Sequence, residues 1–304
     1  MPPLKDVQGL GTEGRNPKSL GFDSKSPLEI ARIINAEDQK VAVAIQKALP
    51  QIAKAIDAVA KSLSSGGRLI YVGTGTSGRL GALDASECPP TFNTDPGMVQ
   101  FVMAGGEKAL GCAVEADEDS PALGRKDMAK KRPTRKDVVI GLAASGRTPF
   151  TVSAVQYARS KGAMTAGIVA NPNSPLARAA AIPIVIPVGP EVVAGSTRMK
   201  AGTMQKLVLN MITTGAFVRM GYVYDNLMVN LHLKNRKLVE RGIGIVQQIL
   251  DLDRESAIDA LRASEGSVPV ALVMLQAGVT KREAEKRLDK SRGNVRRAIS
   301  KRMS

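Results

Sequence analysis

Leu69-Ile70-Tyr71-Val72-Gly73-Thr74-Gly75-Thr76-Ser77-Gly78-Arg79 is a short apolar run that passes at once into glycines and hydroxyl side chains, and it decides the fold. Four apolar residues bounded by glycines read as a strand buried on both faces. The residues after it suit a loop that holds an anion. Glycine lets the backbone come close to a ligand, hydroxyls donate hydrogen bonds, and a following helix offers its free N–H groups.

The same order returns further on. Asp137–Leu142 reads as a strand and runs into Ala143-Ala144-Ser145-Gly146-Arg147-Thr148-Pro149. Val99–Met103, Met164–Val169 and Ile182–Ile186 read as three more strands, with helical segments between most of them. This alternation predicts an α/β fold, a parallel sheet flanked by helices, with ligands at the carboxyl ends of the strands. One such loop is equally the signature of a turn and a helix cap. Two in one domain indicate a site.

Residues 1–26, rich in Gly, Pro, Ser and charge, read as an irregular arm. Helical periodicity begins near Pro27 and resumes through Val41–Leu49 and Ile52–Leu63, with Pro50 as the expected break. Ser64-Ser65-Gly66-Gly67 ends the helical stretch. Beyond Gly195 the chain turns helical again, over Thr197–Met220 and Leu227–Leu250, and the last fifty residues form short amphipathic helices broken at Gly266 and Gly278. The expected domains are an N-terminal arm with helices over 1–58, an α/β domain over 59–222 and a C-terminal helical region over 223–304.

Composition narrows the function. The 304 residues carry a formal net charge of +15, and aromatics make up only 3%. Too few rings remain for a stacking platform for single-stranded nucleic acid. Ten Lys/Arg stand against three Asp/Glu between Lys281 and Arg302, which reads as a solvated helical face because no nucleic-acid motif accompanies it. The rest of the excess suits attraction of an anionic substrate. Two cysteines, Cys88 and Cys112, make no disulfide framework, and the single His232 leaves too few ligands for a Cys/His zinc site. No basic leader followed by an apolar stretch and no bilayer-length run is visible, so a cytoplasmic protein without a membrane partner is expected.

The glycine spacing of Gly73-Thr74-Gly75-Thr76-Ser77-Gly78 is also that of a dinucleotide fingerprint. That fingerprint needs an acidic residue about twenty positions on, at the end of a second strand. Asp95 stands before the next strand instead. A Gly-Lys-Ser/Thr P-loop is absent as well, so nucleotide binding is the weaker reading.

Longer blocks carry a resemblance. Val72–Gly81, then Leu83-Asp84-Ala85-Ser86-Glu87-Cys88-Pro89-Pro90-Thr91, closely resembles the N-acetylmuramic acid 6-phosphate etherase family of the sugar isomerase (SIS) superfamily. Ile34-Asn35 with Glu37-Asp38, Ala143–Pro149, Glu191 with Gly195–Thr203, Asn210-Met211 and Asn226–Val229 match in the same order, so the resemblance covers nearly the whole chain. It implies an SIS-type sheet with a sugar-phosphate site. Thr76 and Ser77 in the first loop, and Ser145, Gly146, Arg147 and Thr148 in the second, then take the phosphate. Many SIS domains carry a further serine where this chain has Ala143, so one hydroxyl is missing. Arg79 is a second candidate for the phosphate, and both arginines are equally candidates for surface ion pairs.

The family's chemistry is that of a lyase needing no metal and no cofactor. The sugar opens to its aldehyde, loss of the C2 proton expels the lactyl oxygen from C3, and water adds back to give N-acetylglucosamine 6-phosphate, in amino-sugar catabolism and cell-wall recycling. Elimination needs a base at C2 and an acid for the departing oxygen. The resemblance makes Glu87 the general acid and Glu118 the general base, although Glu115, Asp117 and Asp119 crowd Glu118 as a solvated acidic face would. It also implies a homodimer. His232 lies outside every matching block and is not expected in catalysis, and Cys88 is expected to pack. A sugar-phosphate isomerase or a non-catalytic sugar-phosphate sensor on the same fold is the alternative, and a nucleic-acid-binding regulator is a third.

Overall fold

A computed structural model of the chain describes residues 11–112, 117–231, 233 and 235–300, so His232 and Glu115 lie outside the described residues. By its internal contacts the chain divides into two compact units: Met1–Ser86 with Gly97–Thr213, and Glu87–Pro96 with Thr214–Ser304.

The first unit is built on five strands, β1 (Leu69–Gly73), β2 (Val99–Met103), β3 (Val138–Leu142), β4 (Met164–Val169) and β5 (Ile182–Val185). They pair in the order β2-β1-β3-β4-β5, all parallel. The expected strands are present to within a residue at either end, and the α/β class is the observed one. β1 and β3 are buried along their whole length, which is why both read as unbroken apolar runs rather than alternating ones.

Helices α1 (Pro27–Ile45), α2 (Leu49–Ser64), α3 (Gly75–Phe92), α4 (Pro121–Lys130), α5 (Pro149–Ser160), α6 (Pro175–Ala179) and α7 (Lys200–Met220) accompany the sheet. Ile70 and Val72 of β1 join Phe150, Ala154, Val155 and Leu176 of α5 and α6 in one core cluster. Tyr71 points to the other face, where Gly81 of α3 lies so close that a Cβ there would sit 2.9 Å from the Tyr71 Cβ. At the opposite end of the strands, the Arg68 guanidinium donates to both oxygens of buried Asp137, tying the start of β1 to the start of β3.

α1 opens on a capping box. The Ser26 hydroxyl accepts from the Glu29 N–H, and the Glu29 carboxylate accepts from the Ser26 N–H. The helix then runs unbroken to Ile45, without the restart expected at Val41. The interruption comes as a 3-10 turn over Gln46–Ala48, and Pro50 sits in the first turn of α2, where a missing N–H costs nothing.

Among the described residues, the arm preceding α1 forms 3-10 turns at Pro17–Ser19 and Phe22–Ser24 and enters a buried polar cluster. Glu37 of α1 takes hydrogen bonds from Lys200 Nζ at 2.6 Å, from Asn16 Nδ2 at 2.9 Å and from Lys40. Burial alone would raise the Glu37 carboxyl, but these three donors outweigh it and hold it down at about 2. Glu191 caps the start of α7, accepting from the backbone N–H groups of Lys200 and Ala201.

In the second unit, α8 (Arg236–Leu250), α9 (Arg254–Ala263), α10 (Val268–Ala277), α11 (Lys281–Lys290) and α12 (Val295–Ile299) enclose a core of Val229, Ile243, Val246, Val268, Leu272 and Val295. The breaks at Gly266 and Gly278 are where expected. A helix over Leu227–Leu250 is not what forms. Leu227–Met228 pairs antiparallel with Val223–Tyr224 across a tight turn at Asp225, and α8 starts only at Arg236, capped by Asn235. Val229 and Leu231, two apart, both turn inward. Lys281 and Arg287 of α11 pair with Glu265 and Glu283, while Ala284 and Leu288 face the core.

Removing one member of the Glu37 cluster tests its weight. Lys200→Met leaves a buried carboxylate without its ammonium and should lower unfolding free energy by about 3–5 kcal/mol, read from urea midpoints at neutral pH. The wild-type contribution is complete above the ordinary glutamate value of 4.5 and is lost as pH falls toward about 2. Urea midpoints measured down that range should fall more steeply for the wild type than for Glu37→Gln.

Candidate functional site

In the strand order β2-β1-β3-β4-β5 the direction of travel reverses between β1 and β3, and Gly73 pairs with Leu142 at their carboxyl ends. The chain leaves these two ends in opposite directions, which opens the crevice where doubly wound sheets bind ligands. Both predicted loops start there, side by side.

The first loop passes into α3 within one residue of the strand. Its tightness comes from two glycines in contact: a Cβ on Gly78 would lie 2.8 Å from the Gly73 carbonyl oxygen. Thr76 and Ser77 are half-buried in the first turn of α3, among backbone N–H groups that have no helical acceptor.

The second loop carries Ser145, Gly146, Arg147 and Thr148 to the start of α5. The Ser145 hydroxyl accepts from the Arg147 N–H at 3.2 Å. Gly146 has φ +67°, and a Cβ there would lie 2.2 Å from Ser174 Oγ, so this position admits glycine alone. Thr148 is the N-cap residue of α5, yet its hydroxyl makes no capping hydrogen bond. Like Thr76 and Ser77, it is a hydroxyl at a helix start.

Glu118 lies between the loops. Its carbonyl oxygen accepts from the Phe150 N–H at 3.1 Å, which fastens it to the first turn of α5. Its carboxylate reaches the first loop, where a Cβ on Gly75 would sit 3.3 Å from Glu118 Oε1. The crowding by acidic neighbours therefore does not leave Glu118 on an open face: it is half-buried at the head of the crevice.

Glu87 is placed differently. It stands on α3 ten residues beyond Ser77, exposed, and groups with the second compact unit rather than with the loops. One turn earlier on α3, Asp84 accepts from Tyr71 Oη at 2.8 Å and from Thr213 Oγ1 at 3.2 Å. Burial pushes its carboxyl up, against the pull of these two hydroxyls. Arg79 is committed elsewhere, its guanidinium donating to the carbonyls of Leu110 and Cys112. Cys88 is buried, and no disulfide joins it to exposed Cys112. Among the described residues no group of three or more His, Cys, Asp and Glu is placed to hold a metal ion, and no helix is long and apolar enough to cross a membrane.

Three side chains at the loops were not read from the sequence. Asn171, just past the end of β4, donates to the Ser145 carbonyl at 3.4 Å and to Thr12 Oγ1 at 3.1 Å. Ser174 packs against Gly146. Both follow a strand in the same strand–loop–helix order that marks the other two loops, and that order was the available signal. Gln205, which contacts Ser77, sits within the apolar run of α7, and nothing in its neighbourhood advertises it.

Paired glycine- and hydroxyl-rich loops at the switch point of a parallel sheet define an anion-binding α/β domain of the sugar isomerase class. Family models agree: residues 118–215 match the SIS domain, and residues 51–159 match the glucokinase regulatory protein N-terminal SIS domain. The chain is 50% identical over 297 residues to N-acetylmuramic acid 6-phosphate etherase of Edwardsiella ictaluri, covering 98% of this chain and 99% of that one. It is 48% identical over 294 residues to the enzyme of that name from Clostridium beijerinckii, covering 97% of each. The chain belongs to the N-acetylmuramic acid 6-phosphate etherase family. Among solved structures, phosphoheptose isomerase from Neisseria gonorrhoeae aligns over 64% of this chain and 99% of its own, at 16% identity and a TM-score of 0.48.

The second loop has little tolerance. Gly146→Ala should cost about 1–3 kcal/mol from the left-handed backbone alone, with the Ser174 contact adding to it. Gly146→Ala/Ser174→Gly, which removes both the Oγ at 2.2 Å and the Cβ at 2.5 Å from the new methyl group, should recover part of that loss in thermal unfolding.

Proposed function

We propose that this protein cleaves the lactyl ether of N-acetylmuramic acid 6-phosphate by eliminating D-lactate, and that water then adds at C3 to give N-acetylglucosamine 6-phosphate. The observation that carries the reading is the position of Glu118, a carboxylate fastened to the second loop and lying against the first. A phosphate held by Thr76, Ser77, Ser145, Arg147, Thr148 and the Gly146 backbone would keep the sugar chain beside that carboxylate.

The chemistry asks little more of the protein. In the open-chain aldehyde the C2 proton is acidified by the adjacent carbonyl. Glu118 takes that proton, the electron pair forms the C2–C3 double bond, and the C3–oxygen bond breaks. Glu87 gives its proton to the departing lactyl oxygen. In the return step water adds at C3 and a proton returns to C2. Two carboxyl groups holding opposite protonation states suffice for both half-reactions, which makes the enzyme a carbon–oxygen lyase without need of a metal. The excess of positive charge over the chain would favour capture of a substrate that carries both a phosphate and a carboxylate. The same reading carries a homodimer working in the cytoplasm, with the arm and helices of 1–58, the α/β domain of 59–222 and the helical region of 223–304 as its parts.

The test is release of D-lactate from N-acetylmuramic acid 6-phosphate by the purified protein without added metal. Glu87→Gln and Glu118→Gln should each fold as the wild type does and release lactate about 10²-fold more slowly or worse. A Glu118→Gln protein of near-normal turnover would assign the base to a neighbouring acid. A folded wild-type protein releasing no lactate would leave the isomerase and sensor readings standing.

A further inference from the structure

We infer that Gln205 is a positioning residue that aims the Ser77 hydroxyl proton at the ligand phosphate; this deepens, and rests on, the reading of Ser77 as a phosphate contact. The two helices meet at this point. Ser77 Oγ lies 2.8 Å from Gln205 Oε1. One turn earlier on α7, Gly202 faces Thr76, whose methyl group would be 3.5 Å from a Cβ there. α7 thus backs both Thr76 and Ser77 of the first loop.

Gln205 is 1% exposed, and its Nε2 has no hydrogen-bond partner among the described residues. A buried donor left without an acceptor is costly, more so than a buried carbonyl oxygen left partly unused. The two ends of a carboxamide fill nearly the same space. A half-turn of the Gln205 amide therefore brings Nε2 to Ser77 Oγ with little change in the space the side chain fills.

The two orientations differ in what they leave Ser77 to do. A hydroxyl has one proton to give and lone pairs to receive. With Oε1 toward Ser77, the proton is spent on the amide, and the loop side of the oxygen can only accept. Phosphate oxygens are acceptors too, so that state offers them nothing. With Nε2 toward Ser77, the amide donates to Oγ and the hydroxyl proton is free for the phosphate. The rotated amide also ends the isolation of Nε2. Ligand phosphate and the Nε2-inward amide therefore favour one another, and Gln205 acts on binding without touching substrate.

The experiment measures KM and kcat for lactate release, and inhibition by inorganic phosphate, for Ser77→Ala, Gln205→Leu, Gln205→Glu and the Ser77→Ala/Gln205→Leu pair. Gln205→Leu should raise KM and the phosphate inhibition constant about five- to ten-fold, with kcat within about two-fold of wild type. Gln205→Glu should be worse, since a carboxylate holds the Ser77 proton permanently and repels the phosphate. On the Ser77→Ala background Gln205→Leu should add almost nothing, the mark of two residues acting as one. If Gln205→Leu does not fold, Gln205→Met carries the same expectation. A Ser77→Ala effect with unchanged KM in the Gln205 variants, or fully additive effects, would overturn the positioning role alone. An unchanged KM in Ser77→Ala would instead overturn the phosphate reading, and this inference with it.

Discussion

The parallel pairing of β1 with β3 is the constraint from which the rest follows. Because Gly73 and Leu142 end their strands side by side, the two loops must begin as neighbours, and the helices after them must point their N-termini into one crevice. Any insertion of Glu118 near α5 then reaches the first loop as well. The glycines serve this geometry rather than flexibility, since Gly73 against Gly78 and Gly146 against Ser174 are contacts that leave no room for a side chain.

A second set of interactions fixes α7, which backs the first loop. Its start is held by the Glu191 carboxylate on two backbone N–H groups and by the Lys200–Glu37 pair. Asn16 joins the same cluster from the arm and also donates to the Pro190 carbonyl. Buried charges of this kind are weak contributors to net stability but costly to break singly. Their effect here is positional, joining the arm, α1 and α7 within the first unit.

How much could be read beforehand follows from the physics of each element. The buried strands were legible because burial on both faces leaves unbroken apolar runs between glycines, and β2 and β4 were read to the residue. The loops were legible because anion binding needs glycine and hydroxyls together. Leu227–Leu231 misled because its apolar residues fit a helix continuing into α8, although Leu227, Val229 and Leu231 also alternate with period two. The helical stretch breaks a few residues before Pro50 rather than at it, because proline is tolerated in the first turn of a helix. Gln205 was invisible for a different reason. One polar residue in a buried helix acquires meaning only from the helix opposite, and Ser77 lies 128 positions away along the chain. The adjacency of the two loops was likewise a matter of strand order, which no local pattern encodes.

The proposed function has an anion held at helix N-termini while a carboxylate beside it takes the proton at C2. Water labelled with both deuterium and oxygen-18 interrogates that step most directly. N-acetylmuramic acid 6-phosphate turned over in it should give a sugar phosphate with one deuterium at C2 and solvent oxygen at C3, and lactate retaining the original ether oxygen. Solvent oxygen in the lactate, with no deuterium at C2 of the sugar, would contradict elimination.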